Sequence, residues 1–326
     1  MSLQTADYDY LLPDKLIARY PVERRDDSRL MLLERNARSI KHLQFSEFAG
    51  LLRPAELVVL NDTKVIPARI RIPDRDAEIL LLEQIEPKMW RCLVRPGRAF
   101  LQGRKFSVRS YNCEVIQIGQ EGERLICFDR PIQLDEIGEI PLPPYIARAP
   151  EPIDRERYQT VFAAQTGAIA APTAGLHFTR EILERVPHAF ITLHVGVGTF
   201  KPVKSENITE HRLHREEFEL TGAAAAKIQA AKEVLAVGTT TVRTLETLVR
   251  RFGEIRAHKG VTDLFIYPPF NFRRVNSLLT NFHLPKSTLL MLVAAFAGRE
   301  FVLEAYAEAV REQYRFFSYG DCMLIR

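Results

Sequence analysis

The stretch GAIAAPTAGLHFTREILERVPHAFITLHVGVGTFKPV, residues 167–203, decides how the chain is read. It opens in a small-residue loop, Ala170-Ala171-Pro172-Thr173-Ala174-Gly175. A short helix follows, capped by Thr179, with Glu181 in its positive first turn and Ile182, Leu183 and Val186 facing inward. A β-rich run, Phe190-Ile191-Thr192-Leu193, then ends at His194 and opens into a second glycine loop, Gly196-Val197-Gly198-Thr199. In an open α/β sheet, loops beyond the strand ends line the ligand crevice. Glycine lets backbone N–H groups approach a ligand, and histidine exchanges a proton near neutral pH. Each loop combines the two, so the stretch reads as half of an active site.

The same alternation extends outward on both sides. Upstream, Arg29-Leu30-Met31-Leu32-Leu33 reads as a strand and Ser46-Glu47-Phe48 as the start of a short helix. Leu57-Val58-Val59-Leu60 is a buried strand that ends at Asn61-Asp62-Thr63-Lys64, either the ligand end of a sheet or a plain Asx turn. Downstream, Thr221 caps an alanine-rich helix through Leu235, and Ala236-Val237-Gly238 is a strand. Thr239-Thr240-Thr241 then leads into a helix over Val242–Arg251; the hydroxyls read first as an N-cap and second as a carboxylate or phosphate site. A strand is expected at Thr262–Ile266, and Ser277-Leu278-Leu279 runs into the polar cluster Thr280-Asn281-Phe282-His283. Helices over Pro285–Ala297, stopped by Gly298, and Phe301–Gln313 precede a final strand, Cys322-Met323-Leu324-Ile325.

Between Ile66 and Arg148 the texture changes. Short β-rich runs, Glu78–Leu82, Trp90–Val94, Cys113–Ile116 and Arg124–Phe128, are divided by turn signals at Pro96-Gly97, Gly103 and Gly122. This is the pattern of a small antiparallel barrel. The expected architecture is therefore an α/β main domain, a layered sheet with flanking helices, interrupted by an inserted β-barrel. The boundaries fall at 1–65 plus 155–326 for the main domain and 66–154 for the barrel, with the proline-rich Ile140–Tyr145 as connector.

Composition limits the function classes. The chain has 326 residues, 46% of them hydrophobic and 26% charged, so a large core is easily built. A net charge of +4 supplies no global field for nucleic acid, and any basic footprint must be local. Cys92, Cys113, Cys127 and Cys322 form no CxxC pair, which argues against a zinc ribbon and for a reduced, cytoplasmic setting. The apolar run Leu289–Ala297 is too short for a bilayer, so no membrane partner is expected. His211 and His214 have poor helical spacing for a shared metal, and none is expected.

Four clusters sit at expected strand ends, Asn61–Lys64, Pro172–His177, His194–Thr199 and Asn281–His283, and three of them carry a histidine. Around them lie YPVERRDDSRLMLL (20–33), LNDTKVIPAR (60–69), GEIPLPPYI (138–146), APTAGLHFT (171–179), TLHVGVGTFKPV (192–203), AVGTTTVRTLE (236–246), LLTNFHLPKSTLLMLVAAFAG (278–298) and YRFFSYGDCMLI (314–325). With these motifs the chain resembles, nearly end to end, the S-adenosylmethionine:tRNA ribosyltransferase-isomerase family of queuosine biosynthesis. It departs at the short segment Ile70–Asp76, at Leu213 and at Pro269-Phe270. The resemblance implies an α/β domain interrupted by a β-barrel. It implies transfer of the ribosyl part of S-adenosylmethionine to the 7-aminomethyl-7-deazaguanine base at the tRNA wobble position. Epoxyqueuosine forms, and adenine and methionine leave. Such a route needs a base for the proton beside the sulfonium, a proton donor for adenine and donors for an alkoxide, but no metal or redox cofactor.

The matching positions then take expected roles. His177 and His194 are the proton-transfer candidates, with Asp62 and His283 behind them; Asp62 also suits the acceptor amine, which must attack as a free base. Gly196, Gly198 and Thr199 are expected to donate hydrogen bonds, and Thr239, Thr240 and Arg243 to hold the methionine carboxylate. Thr173, Gly175 and Asn281 complete the substrate-binding set. The tRNA, with a GUN-type anticodon loop, is expected on Arg24 and Arg25 or on the barrel group Arg95, Arg98, Arg104 and Lys105. The protein is expected to act as a monomer. The rival readings are a paralogue with another acceptor and a non-catalytic RNA-binding module.

Overall fold

The structure is a computed structural model that describes residues 3–72, 74, 76–196, 203 and 205–326. Two compact units emerge. One comprises Met1–Lys64, Pro143–Arg148 and Arg157–Arg326; the other comprises Val65–Leu142 and Ala149–Glu156.

The first unit is built on a nine-stranded mixed sheet. Its order is His258–Thr262, Glu216–Leu220, His188–Leu193, Glu56–Asn61, Glu233–Val237, Ser277–Asn281, Cys322–Ile325, Arg29–Glu34 and Ser39–Gln44. The four strands from His188–Leu193 to Ser277–Asn281 run parallel. Glu56–Asn61 lies second among them, and all six of its residues are buried. The reason is period two: Leu57 and Val59 pack with Val242, Leu245 and Phe282 on one face, while Val58 and Leu60 pack with Phe45, Phe48 and Phe178 on the other. A strand covered on both faces reads as a continuous apolar run, and each fully buried aliphatic side chain contributes about 1.5–3 kcal/mol.

Several boundaries differ from the sequence reading. The alanine-rich helix is capped by Thr221, whose hydroxyl accepts from Ala224 N at 3.3 Å, but it spans only Gly222–Ala230. Residues Glu233–Val237 extend instead, because the aliphatic run fills the gap between two parallel neighbours; tertiary pairing overrides helix propensity there. The strand expected at Thr262–Ile266 lies earlier, at His258–Thr262, along Glu216–Leu220. The threonines are not a cap: the helix spans Thr239–Phe252, and its N-cap is Gly238 at φ +88°. Thr179 does cap its helix, accepting from Ile182 N, and Ser287 caps Thr288–Ala297 in the same way.

In the second unit, six antiparallel strands follow the order Arg69–Ile72, Ala77–Glu86, Met89–Arg95, Arg124–Phe128, Tyr111–Ile118 and Lys105–Val108. Among the described residues no pairing joins the first strand to the sixth, so the small antiparallel barrel expected takes the form of a curled half-barrel. Alternate residues, Ile70, Ile72, Ile79, Leu81, Phe106, Val108, Cys113 and Val115, fill its concave core. Buried Arg124 holds the 97–100 turn by donating to Phe100 O at 2.7 Å and Gly97 O at 3.3 Å.

Fully buried Glu246, on the Thr239–Phe252 helix, accepts backbone N–H bonds from Arg273, Arg274 and Val275 at 2.9–3.2 Å. Glu246→Ala strands three donors and opens a cavity. It is expected to lower unfolding free energy by about 3 kcal/mol in equilibrium denaturation, with a smaller loss for Glu246→Gln. An unchanged midpoint would mean that something else holds the 273–275 turn.

Candidate active site

The four parallel strands deliver their carboxyl ends at Leu193, Asn61, Val237 and Asn281; three of the expected clusters begin there, at His194, Asn61 and Asn281, and Thr239–Thr241 follows Val237, whereas the fourth expected cluster, Pro172–His177, follows the short strand Gln165–Ala168 of a separate two-stranded sheet. A pocket of about 680 Å³, including its open mouth, lies there, lined among others by Thr173, Val195, Gly238, Thr239, Thr240, Asn281, His283 and Ser318. The positive φ of Gly238 turns the chain from strand to helix, and the first helical hydrogen bond runs from Val242 N to Gly238 O. The N–H groups before it have no intrahelical acceptor, and they carry the positive end of the helix dipole. Thr239 and Thr240 thus bring an anion-binding helix start to the pocket wall.

Asn281 and His177 form a buried unit behind that wall. The Asn281 amide donates to Phe317 O at 3.0 Å and to His177 Nε2 at 3.2 Å, and its Oδ1 has no partner among the described residues. Phe317 takes φ +70°, a costly conformation for a phenylalanine, within the turn that presents this carbonyl. His177 Nδ1 meets Ser28 Oγ at 2.8 Å, and Ser28 donates onward to Arg25 O, so the imidazole carries its proton on Nδ1. Desolvation lowers the His177 pKa to about 4. Both ring nitrogens are engaged, and His177 lines neither pocket described here. His283 does line the first pocket; its Nε2 pairs with Thr280 Oγ1 at 2.8 Å, and burial lowers its pKa to about 3.

Asp62 and His194 face a second, wider pocket, with Phe190, Thr192, Glu217 and Lys259 in its wall. Strand alternation explains the split: Val195 lines the first pocket and its neighbour His194 the second. The His194 ring packs against Gly167, where an added Cβ would lie 2.8 Å from it, and Nδ1 meets Thr63 Oγ1 at 2.8 Å. Desolvation lowers the His194 pKa, partly offset by Glu217 and Asp62. Asp62 Oδ1 accepts from the Thr192 hydroxyl at 2.6 Å, and desolvation raises its pKa despite that bond.

Other expected site residues have different surroundings. Arg243 lies outside both pockets, buried in an ion pair with Glu216 and donating through Nε to Leu264 O at 3.0 Å. The other Glu216 oxygen accepts the Gly196 N–H at 3.2 Å, so that N–H is already committed. Glu216 therefore joins Arg243 to the start of the second glycine loop. Gly175 is small for packing: a Cβ there would meet Phe162 at 2.8 Å and Thr160 at 2.9 Å. Gly198 and Thr199 lie outside the described residues. Arg24 is bidentate to Asp26 at 3.3 Å, and Arg25 donates to Leu176 O at 3.1 Å. In the half-barrel Arg95, Arg98 and Arg104 are exposed and make no ion pair among the described residues, while Lys105 is 3.9 Å from Glu114. The sequence reading gives no site role to Asn61, Tyr145, Ser318 or Glu216; the first three lie within the motifs 60–69, 138–146 and 314–325, whereas Glu216 lies in none of them.

A pocket beyond the carboxyl ends of parallel strands, fed by a helix start, defines an α/β enzyme of the kind that binds small polar ligands at that edge; the second pocket runs from Asp62 and His194 along the strands His188–Leu193 and Glu216–Leu220. The comparisons narrow this. The family model described as "Queuosine biosynthesis protein" matches residues 5–325. The S-adenosylmethionine:tRNA ribosyltransferase-isomerase of Thermotoga maritima is 48% identical over 340 aligned residues, covering 99% of this chain and 100% of that protein. The protein of the same name from Trichlorobacter lovleyi is 47% identical, with 98% of each chain covered. A crystal structure of the S-adenosylmethionine tRNA ribosyltransferase from Thermotoga maritima matches with a TM-score of 0.57 and 40% identity, over 98% of this chain and 100% of that one. The chain belongs to the queuosine biosynthesis protein family.

Burial makes the two enclosed histidines acid-sensitive. Unfolded histidine titrates near 6.5, whereas His177 and His283 titrate at about 4 and about 3 in the fold. Below pH ~6.5 the unfolded chain therefore binds more protons, so the stability they contribute is present above that pH and lost as pH falls toward 4. Urea unfolding is expected to show this loss between pH 7 and 5, with His177→Gln and His283→Gln each removing about one proton from the uptake. A flat wild-type profile would mean that both histidines accept protons in the folded state.

Proposed function

We propose that this chain is a tRNA-modifying transferase-isomerase. It moves the ribosyl part of S-adenosylmethionine onto the 7-aminomethyl-7-deazaguanine base at the wobble position of a tRNA with a GUN-type anticodon. Epoxyqueuosine forms, and adenine and methionine leave. The observation that carries this reading is the 48% identity, spanning both chains from end to end, to enzymes named for the activity. The site supports it: the first pocket offers the Thr239 and Thr240 N–H groups to the methionine carboxylate, with Thr173 and Asn281 alongside.

His194 is the proton-transfer group, since its depressed pKa keeps it neutral at pH 7 with Nε2 free among the described residues. His177 acts through Asn281, holding the amide that walls the first pocket. Arg243 and Gly196 serve the frame and not the carboxylate, as their shared partner Glu216 requires. No metal or redox cofactor enters this route. The half-barrel, residues 66–154, is an insertion into a catalytic domain made of 1–65 and 155–326, and its exposed Arg95, Arg98, Arg104 and Lys105 form the phosphate-facing surface. The enzyme works in the cytoplasm as a monomer.

Incubating the full chain with S-adenosylmethionine, with and without tRNA carrying the aminomethyl base, tests the reading: adenine is expected only with that tRNA. Two variants refine it. His194→Ala is expected to lower turnover about 10²–10⁴-fold while S-adenosylmethionine binding stays near wild type; near-normal turnover would remove His194 from the chemistry. Replacing Arg98, Arg104 and Lys105 together by glutamate is expected to weaken tRNA binding and flatten its salt dependence, leaving S-adenosylmethionine binding unchanged. Unaltered tRNA affinity at low salt would move the docking surface to the Arg24-Arg25 side.

A further inference from the structure

The proposed route needs donors for an alkoxide, and one expected donor is spent, since the Gly196 N–H is held by Glu216 at 3.2 Å. The wall of the first pocket carries a replacement at His283. Its Nε2 lies 2.8 Å from Thr280 Oγ1, and that hydroxyl has no other hydrogen-bond partner among the described residues. Thr280 is buried, so a hydroxyl proton aimed elsewhere would be a donor without an acceptor, at a cost of about 1–3 kcal/mol. Thr280 therefore donates to Nε2, and the neutral ring carries its hydrogen on Nδ1. Nδ1 makes no hydrogen bond among the described residues, which leaves it to a ligand. Burial lowers the His283 pKa to about 3, so at pH 7 the ring is uncharged and a poor base.

The main chain of His283 is clamped from two sides. The Tyr306 hydroxyl accepts from His283 N at 3.0 Å, and the Tyr10 hydroxyl donates to His283 O at 2.5 Å. The two tyrosine rings meet edge to face, with centroids 5.0 Å apart. Tyr10 belongs to an N-terminal segment tied to the same stretch: Tyr8 O accepts from Lys286 N at 2.9 Å, and Asp9 lies 2.8 Å from Lys286 Nζ. His283 thus has its N–H, its C=O and one ring nitrogen engaged. A donor fixed in this way stabilises developing charge without reorganising during the reaction.

We propose that His283 is a catalytic hydrogen-bond donor of the first pocket, offering its Nδ1–H to the ligand oxygen on which negative charge develops, and that Tyr10 is the residue that positions it. The inference rests on the proposed function and deepens it, because it gives this histidine a task other than proton transfer. No bond to hydrogen breaks, and the proton stays on Nδ1 throughout. A neutral imidazole suits that task, since it stabilises an oxyanion without surrendering a proton to it.

The test uses the full chain. In heteronuclear NMR of protein labelled at its histidines, His283 is expected in the neutral Nδ1–H form at neutral pH. Thr280→Val, which removes the hydroxyl at nearly constant volume, is expected to lose that preference. An imidazolium at neutral pH, or the Nε2–H form in wild type, would overturn the proposal. Turnover then separates a donor from a base. His283→Leu is expected to lower adenine release about 10²-fold or more, the size of one lost oxyanion donor, with S-adenosylmethionine affinity within about fivefold of wild type. His283→Asn places an amide N–H close to the Nδ1 position and is expected to recover about tenfold of that loss, which a proton-transfer role would not allow. Equal loss in the two variants would overturn the donor assignment. Tyr10→Phe keeps the ring and removes only the hydroxyl; it is expected to slow the wild-type enzyme and to have no further effect beside His283→Leu. A further loss of the same size there would strike Tyr10 from the positioning role. If wild type never releases adenine, the proposed function fails, and the NMR result alone decides whether the donor is built.

Discussion

The side chain of Asn61 ties together the strand ends on which the site depends. Its amide donates to Leu193 O at 2.9 Å, and its Oδ1 accepts from Leu193 N at 3.0 Å, continuing the strand pairing where the backbone ladder ends. The same oxygen accepts from Thr63 N, and the amide reaches Thr240 Oγ1 at 3.4 Å. One fully buried side chain thereby sets the departure of Asp62, the start of the His194 loop and the first turn of the Thr239–Phe252 helix. A buried amide satisfied by three neighbours is rigid, and a misplaced one would leave polar groups unpaired at a cost of about 1–3 kcal/mol each.

Asn281 is its counterpart two strands away, and the difference between them is informative. Asn61 uses both ends of its amide internally, whereas among the described residues Asn281 uses only the donor end and leaves Oδ1 unpaired. The first works as framework; the second retains hydrogen-bonding capacity beside a pocket. The buried Glu216–Arg243 pair belongs with the framework, since its carboxylate also fixes the Gly196 N–H. A buried ion pair adds little stability over an apolar substitute, but removing one partner is expensive, so such a pair defines geometry more than it strengthens the fold.

The sequence exposed the α/β sheet because its central strands are apolar on both faces and end in polar clusters, as Leu57–Leu60 before Asn61–Lys64 shows. It also exposed the motifs that mark the family. It did not separate the two pockets, because which neighbour of His194 and Val195 faces which side depends on where the strand ends. His177 looked equivalent to His194 in the sequence. Only the structure shows one ring sealed between Ser28 and Asn281 and the other open at a pocket wall. Arg243, on a helix, looked available for a carboxylate because its partner Glu216 lies on a strand 27 residues earlier, beyond any local pattern. The threonines at 239–241 resembled a cap because Gly238, the actual cap, carries no side chain to signal it.

Strand order carries a consequence for how the polypeptide matures. Arg29–Glu34 pairs in parallel with Cys322–Ile325, which also lies against Ser277–Asn281. The early strand therefore lacks that neighbour until Cys322–Ile325, nearly 300 residues later, has left the ribosome. The half-barrel, by contrast, is drawn from one region of the sequence and can close earlier. Until then the apolar Leu30-Met31-Leu32-Leu33 run has only the Ser39–Gln44 hairpin partner on one edge and leaves its other edge open to non-native pairing. Loss of the few residues of Cys322–Ile325 would leave a gap inside the sheet, not a shortened edge.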